Sequence, residues 1–152
     1  MALRRKRTAF VLSGGGNLGA LQVGMLRALA EAEVVPDVVV GCSVGSLNGA
    51  AYAGAPTLAG VRRLEDHWRT TTSFTIMPAS RIPPAVNLVR KGESIHSSDG
   101  LRQNVTEILG GYRTFEDLTL PFQCVATDVE SATGTWFSEG ELLPAVLASA
   151  AL

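Results

Sequence analysis

The chain has 152 residues, of which 46% are hydrophobic and 18% are charged, and its net charge is −1 at pH 7. This length and composition are typical of one globular domain with a hydrophobic core, and they exclude an intrinsically disordered chain. The nearly neutral charge provides no overall field that would attract nucleic acid, so we expect no nucleic-acid partner.

A basic cluster precedes the first predicted element and consists of Arg4, Arg5, Lys6 and Arg7. We interpret residues 1–7 as a solvated tail and residues 8–152 as a single domain. A contact of the cluster with anionic lipid headgroups is the alternative.

The cellular location is inferred from apolar runs and cysteines. No apolar run is long enough to span a membrane or to form the core of a signal peptide. Cys42 and Cys124, the two cysteines, lie in apolar stretches, which favours free thiols in a reducing compartment. We therefore expect a cytoplasmic protein, with peripheral attachment to a membrane as the alternative.

The first part of the domain alternates apolar runs with glycine turns. Residues 8–13 and 37–40 are short runs rich in β-formers, typical of buried parallel strands. The segment between them has apolar residues at helical spacing: Leu18, Leu21, Met25 and Leu29, with Val23, Leu26 and Ala30 broadening that face. We expect this face to pack on the sheet. Because residues 46–53 predict a second helix, the segment is a βαβα unit with parallel strands.

The rest of the chain predicts further elements and one irregular segment. Residues 57–69 and 100–109 predict helices, with Asp99 as the N-cap of the second. Residues 121–127 predict a strand, residues 131–134 a turn and residues 135–137 its antiparallel partner, and residues 142–151 begin a helix. Residues 70–98 are irregular. Apolar residues in or near them belong either to the core or to a lid or acyl channel: Trp68, Phe74, Ile76, Met77, Ile82 and Val86.

A glycine-rich loop, Gly14-Gly15-Gly16-Asn17-Leu18-Gly19, follows the first strand. Its G-x-G-x-x-G pattern also occurs in dinucleotide-binding folds, where Asp37 would have to meet a ribose. However, Asp37 begins the second strand, whereas such a ribose lies beyond a strand's carboxyl end. Consecutive glycines also let backbone N–H groups converge on an anion at a helix N-terminus. Gly14, Gly15, Gly16 and Asn17 are therefore candidate donors to the oxyanion of an acyl-transfer reaction.

A second glycine turn, Gly41-Cys42-Ser43-Val44-Gly45, has the pattern G-x-S-x-G. It lies between a buried strand and a helix of small residues, the context of a nucleophile elbow, and Ser43 is the candidate nucleophile. Because both glycine turns follow neighbouring parallel strands, we expect them at the same edge of the sheet.

The sequence resembles the patatin-like phospholipase family in four stretches, which are residues 13–20, 40–50, 124–128 with 137–140, and 148–150. The resemblance implies a three-layer α/β/α fold with a mainly parallel central sheet and hydrolysis of lipid acyl esters by a Ser–Asp dyad without histidine. It implies Ser43 as nucleophile and the backbone N–H groups of Gly15, Gly16 and their neighbours as the oxyanion hole, with Gly19, Gly41 and Gly45 as motif glycines. It further implies a lipid or ester substrate and no cofactor.

The chain departs from the family at two points. Leu18 occupies a position where the family often has Arg or Lys. The family's catalytic Asp lies in an Asp-Gly-Gly or Asp-Gly-Ala motif beyond a segment like residues 148–150, and this chain has no such motif. We therefore interpret the 152 residues as the N-terminal part of a longer protein, incomplete at the C-terminus. Asp128, which ends a predicted strand, is kept as a candidate substitute base.

Two other functions stay open. A Ser–His–Asp triad would use His96, since His67 lies in a predicted helix. The other alternative is a catalytically incomplete lipid- or nucleotide-binding α/β module. Metal binding has no support, because no cluster of His, Cys and Asp has ligand spacing.

Overall fold

The computed structural model describes residues 7–70 and 98–151 of the chain. The elements follow one another as β1 (Ala9–Leu12), a 3-10 turn (Gly16–Leu18), α1 (Gly19–Glu31), β2 (Val38–Cys42), α2 (Val44–Gly54), α3 (Leu58–Thr70), α4 (Ser98–Leu109), a second 3-10 turn (Phe115–Asp117), β3 (Phe122–Asp128), β4 (Thr133–Phe137) and α5 (Leu142–Ala150). The irregular segment predicted for residues 70–98, with His96 and the lid or channel proposed there, lies almost entirely outside the described residues.

The four strands form one sheet in the order β1-β2-β3-β4. β1, β2 and β3 are parallel, and β4 pairs with β3 in antiparallel orientation. The register places Leu12 opposite Gly41 and Gly41 opposite Cys124. This arrangement confirms the predicted α/β class, the mainly parallel sheet and the antiparallel partner strand.

One face of the sheet forms the core beneath the helices. Phe10, Leu12, Val39, Phe122 and Cys124 are buried on this face. α2 packs on this face so closely that a Cβ on Gly49 would lie 2.9 Å from the Phe122 ring and 3.2 Å from Val39. α5 packs against β3 and α2, and α3 and α4 pack around α2. The parallel strands β1, β2 and β3 follow one another across the sheet in chain order. Right-handed crossovers between them therefore place the connecting helices on the same face of the sheet.

The opposite face of the sheet carries no helix in the part of the chain that the structure describes. Register places Val11, Val40 and Gln123 in one row on this face, and Cys42, Val125 and Trp136 in the next row. Val11 is 72% exposed and Trp136 is 60% exposed. Within the described residues, the predicted three-layer α/β/α fold is therefore represented by the sheet and the helices that lie over one of its faces.

The helix α1 differs from its sequence-based prediction in the face that it buries. Its buried residues include Val23 and Leu26, whereas Leu18 before it, Leu21 and Met25 are 58%, 66% and 61% exposed. The expectation that Leu18, Leu21 and Met25 pack on the sheet is therefore wrong. The physical reason is that α1 packs against α3 and α2 rather than directly on the strands.

Two predicted boundaries also shift. β2 continues through Gly41 to Cys42 and α2 begins at Val44, so the second turn is confined to Ser43 rather than spanning residues 41–45. α4 begins at Ser98, which places Asp99 within its first turn instead of at the N-cap. None of the helices in the described ranges combines the length and apolar character that a membrane span requires.

Candidate active site

Ser43 is the single residue between β2 and α2, and its backbone has φ 52° and ψ −124°. Residues other than glycine rarely adopt positive φ, and such conformations are concentrated at functional sites. The flanking glycines make the tight turn feasible. A Cβ on Gly41 would lie 2.6 Å from the Ser46 Cα, and a Cβ on Gly45 would lie 2.6 Å from the carbonyl carbon of Leu12. The turn therefore requires both motif glycines.

The glycine loop leaves β1 and enters α1 through a short 3-10 turn. Gly16 has φ 56°, a conformation that favours glycine. At the end of the loop, a Cβ on Gly19 would lie 2.6 Å from the Trp68 ring and would also overlap Val44. Gly19 thus allows the start of α1 to approach the start of α2.

The two glycine turns lie next to each other. β1 and β2 are neighbouring parallel strands, so both turns leave the same edge of the sheet, as predicted. A Cβ built on Gly14 would lie 3.3 Å from the Cβ of Ser43. The backbone of the first glycine therefore lies directly beside the Ser43 side chain.

The loop also contains free backbone donors. Among the described residues, none accepts a hydrogen bond from the amide N–H groups of Gly14, Gly15 or Gly16. Asn17 is exposed and belongs to the 3-10 turn. N–H groups without partners at the start of a helix favour the binding of negative charge.

The main chain of Ser43 is held on both sides by serine hydroxyls. The Ser43 N–H donates to Ser149 Oγ at 3.0 Å, and Ser149 Oγ donates to the Val125 carbonyl at 2.7 Å. The Ser46 hydroxyl donates to the Ser43 carbonyl at 2.6 Å. Sequence reasoning did not identify Ser149 or Ser46 as site residues.

A buried amide connects the two turns. Asn48 in α2 is 0% exposed, and its Nδ2 donates to the Gly19 carbonyl and to Gln22 Oε1, each at 3.0 Å. Trp68 Nε1 donates to Asn48 Oδ1 at 2.9 Å, and Gln22 Nε2 donates to the Ser13 carbonyl at 2.6 Å. These bonds tie α2, the helix that follows Ser43, to both ends of the glycine loop. In the sequence, Asn48 is a polar residue in a predicted helix of small residues, and this signal was not used to identify it as a site residue.

The candidate base Asp128 lies at the end of β3, where it stabilises a turn. Its Oδ1 accepts hydrogen bonds from the N–H groups of Glu130 at 2.9 Å and Ser131 at 3.1 Å. The bonds from Ser131 and then Glu130 lower the pKa of the Asp128 carboxyl. A carboxylate with a lowered pKa is a weaker base, so this environment does not favour general-base catalysis.

Other candidate groups lie away from Ser43. Asp37 lies before β2, at the opposite edge of the sheet from the glycine loop, and its carboxylate accepts from the Thr8 N–H at 2.8 Å. His67 in α3 lies 3.1 Å from the Asn104 side chain and lines a cavity of about 250 Å³ between α2, α3 and α4. In residues 7–70 and 98–151, no carboxylate or imidazole forms a hydrogen bond with the Ser43 hydroxyl.

The two cysteines are free thiols. Cys124 is buried beneath the helices, and burial raises the pKa of its thiol to about 12. Within the described part of the chain, no group of three or more His, Cys, Asp or Glu residues is arranged to hold a metal ion.

A family model described as Patatin-like phospholipase matches residues 10–152. The match covers β1 from its second residue, both glycine turns and every later element. It therefore includes all the site features described above.

Several curated proteins are similar in sequence over short stretches of their own length. Patatin-like phospholipase domain-containing protein 7 of Rattus norvegicus is 31% identical over 144 residues, which are 95% of this chain and 10% of that protein. Patatin-like phospholipase domain-containing protein 6 of Homo sapiens is 30% identical with the same coverage. Neuropathy target esterase sws of Drosophila grimshawi is 28% identical and covers 93% of this chain and 9% of that protein. The chain spans about a tenth of these relatives.

Two solved structures share the fold. VipD from Legionella pneumophila superposes with a TM-score of 0.62 at 14% identity, covering 94% of this chain and 42% of that one. ExoU from Pseudomonas aeruginosa, in complex with SpcU, superposes with a TM-score of 0.54 at 20% identity, covering 97% of this chain and 38% of the matched chain. At these identities the likeness concerns the fold.

Proposed function

This chain belongs to the patatin-like phospholipase family, and we propose that it provides the nucleophile and the oxyanion element of a serine hydrolase acting on lipid acyl esters. The observation that carries the proposal is the position of the glycine loop, whose Gly14 backbone lies beside the Ser43 side chain. Membership of the family supports lipid acyl esters as the substrate class. The approach of the Gly14 backbone to Ser43 supports attack by the serine with stabilisation of the oxyanion by the loop.

The proposed reaction has two steps. Ser43 Oγ attacks the ester carbonyl carbon while a carboxylate base takes its proton, and the alcohol leaves after protonation. Water then attacks the acyl-enzyme carbonyl and releases the fatty acid, which regenerates the Ser43 hydroxyl. The N–H groups of Gly14, Gly15 and Gly16, with Asn17, are proposed to stabilise the oxyanion in both steps, and each such donor is typically worth roughly 10²–10³ in rate.

A second candidate function is a lipid-binding module without turnover. It is favoured by the absence, among the described residues, of an acid or base bonded to the Ser43 hydroxyl. In this case the glycine loop would bind a phosphate or carboxylate without reaction at Ser43. The two functions differ in whether Ser43 reacts with an electrophile.

The test is labelling with a fluorophosphonate, whose phosphorus is attacked by an activated serine with loss of fluoride. We expect the full-length protein to be labelled on the peptide that contains Ser43, because the proposed reaction needs a carboxylate base and none is bonded to the Ser43 hydroxyl in the described residues. Ser43→Ala should lower both labelling and hydrolysis of a p-nitrophenyl acyl ester by about a thousandfold or more, because the nucleophile is removed.

Ser138→Ala is the matched control, because Ser138 is exposed between β4 and α5, and it should react like the wild type. Folded wild-type protein that binds phospholipid vesicles but remains unlabelled would instead support the binding module.

A further inference from the structure

The hydroxyl of Ser149 lies where α5, β3 and the nucleophile turn meet. It is in the last turn of α5, it is 7% exposed, and it bonds at once to the Ser43 N–H and the Val125 carbonyl. We propose that Ser149 is a positioning residue that fixes the backbone of Ser43, an inference that rests on the hydrolase function proposed above.

The two sides of Ser43 are fixed by different parts of the molecule. Its carbonyl accepts from the N–H of Ser46 at 2.8 Å and from the Ser46 hydroxyl at 2.6 Å, both within the first turn of α2. In the described residues, the partner of its N–H is Ser149, which is 106 positions away in sequence. The carbonyl side is therefore set by local helix formation, whereas the amide side depends on the docking of α5.

The conformation of Ser43 explains why the amide side needs a partner. At φ 52° the residue is in a strained region, and such strain persists only where surrounding contacts determine the backbone. A serine hydroxyl suits this position because it can accept from one group and donate to another. Without it, the Ser43 N–H and the Val125 carbonyl would lose this shared partner.

The same hydrogen bond assigns the oxyanion donors. Because the Ser43 N–H is bonded to Ser149, it is not available to a substrate oxygen. The N–H groups of Gly14, Gly15 and Gly16 have no acceptor among the described residues. In this proposal the Ser43 amide stabilises the turn through its bond to Ser149, whereas the amides of the glycine loop bind the substrate oxygen.

The first test compares labelling rates of folded variants with the fluorophosphonate. Ser149→Ala should lower the maximal labelling rate at Ser43 roughly tenfold to a hundredfold, with little change in the probe's half-saturating concentration, because geometry rather than binding is altered. Ser149→Thr keeps the hydroxyl and should restore most of the rate. Val146→Ala removes a buried side chain of the same helix but keeps the Ser149 hydroxyl, so it should lower the melting temperature but not the rate.

A rate for folded Ser149→Ala equal to that of the wild type would overturn the proposal. So would a loss that Val146→Ala reproduces, or one that Ser149→Thr fails to restore.

The second test does not depend on activity and measures amide hydrogen exchange by NMR. Ser149→Ala should accelerate exchange of the Ser43 N–H at least about tenfold, while the Val61 N–H in α3, which donates to the Thr57 carbonyl at 2.9 Å, keeps its protection. Unchanged exchange at Ser43 would overturn the positioning role. If the wild type is not labelled, the hydrolase function fails, and the exchange experiment still decides whether Ser149 holds Ser43.

Discussion

At the residue scale, the candidate site depends on close backbone approach rather than on many side chains. A side chain on Gly41 would overlap the backbone at the start of α2, and one on Gly45 would overlap the backbone of Leu12 and Ser13. A side chain on Gly19 would overlap Val44 and Trp68. The motif positions were predicted from the sequence because glycine has a local signature in a strand–turn–helix context. The sequence therefore predicted which positions of the two motifs must be glycine, and it also predicted that a side chain there would clash with neighbouring elements.

Gly45→Ala provides a test of this close approach. Its Cβ would overlap the Leu12 carbonyl, so the start of α2 must move away from the glycine loop. We expect a loss of about 3 kcal/mol or more in the free energy of unfolding, and loss of labelling at Ser43. Chemical denaturation and fluorophosphonate labelling measure the two effects.

Gly24→Ala is the matched control, because Gly24 lies in α1 with no atom within 4 Å of the added Cβ. It should stabilise the chain by about 0.5–1 kcal/mol. Equal stability of the two variants would show that α2 does not approach β1 as described.

Other residues of the site could not be predicted because their role is set by partners far away in the chain. Ser149 is 106 residues from Ser43, and Asn48 is 20 residues from Trp68. A polar residue in a helix has the same local pattern whether its hydrogen bonds go to water or to a distant turn. Only the packed structure distinguishes these cases.

At the element scale, the turn that precedes β3 is capped by a carboxylate. Asp117 Oδ2 accepts from the N–H groups of Thr114 and Arg113, each at 2.9 Å, and Asp117 forms a capping box with Thr114. The bonds from Thr114 and then Arg113 lower the pKa of the Asp117 carboxyl. Because the pKa is lower in the folded state, the stabilisation is complete above the unfolded value of about 3.9 and is lost as pH falls through the folded value.

Asp117→Asn should therefore lower the melting temperature at pH 7. The difference from the wild type should shrink below about pH 4, where the wild-type carboxyl also becomes protonated. Melting curves between pH 2 and pH 7 measure this, with Asp66→Asn as control, since the Asp66 carboxylate forms an exposed ion pair with Arg69. A difference that stays constant with pH would show that the charge of Asp117 does not contribute.

The elements themselves were predicted more accurately than the faces that they bury. Each predicted strand and helix in the described residues is present with shifted ends, because alternating runs and glycine turns are local signals. The packed face of α1 was predicted wrongly, because Leu21 and Met25 share the helical spacing of the residues that the structure buries. Periodicity identifies an apolar face but not the element that covers it.

At the scale of the whole molecule, the described chain has its helices on one side of a mainly parallel sheet. Parallel sheets are generally covered on both faces, yet Val11 is 72% exposed and Trp136 is 60% exposed on the other face. The parallel order of the strands was predictable from right-handed crossovers. The sequence did not predict that the described helices lie over only one face of the sheet. Strands buried on two faces and strands buried on one face can have equally apolar sequences.

The two tryptophans report on the two sides of the sheet. Trp68 packs against the core and donates a hydrogen bond to Asn48, whereas Trp136 is 60% exposed on the face over which no described helix lies. Trp68→Phe leaves Trp136 as the emitter, and we expect red-shifted fluorescence that acrylamide quenches strongly. Trp136→Phe leaves Trp68, whose emission should be blue-shifted and quenched several-fold less, because collisions with the quencher require exposure. In denaturant both variants should be quenched equally, which controls for intrinsic differences. Equal protection of Trp136 and Trp68 in the folded chain would mean that the face bearing Val11, Val40, Val125 and Trp136 is covered.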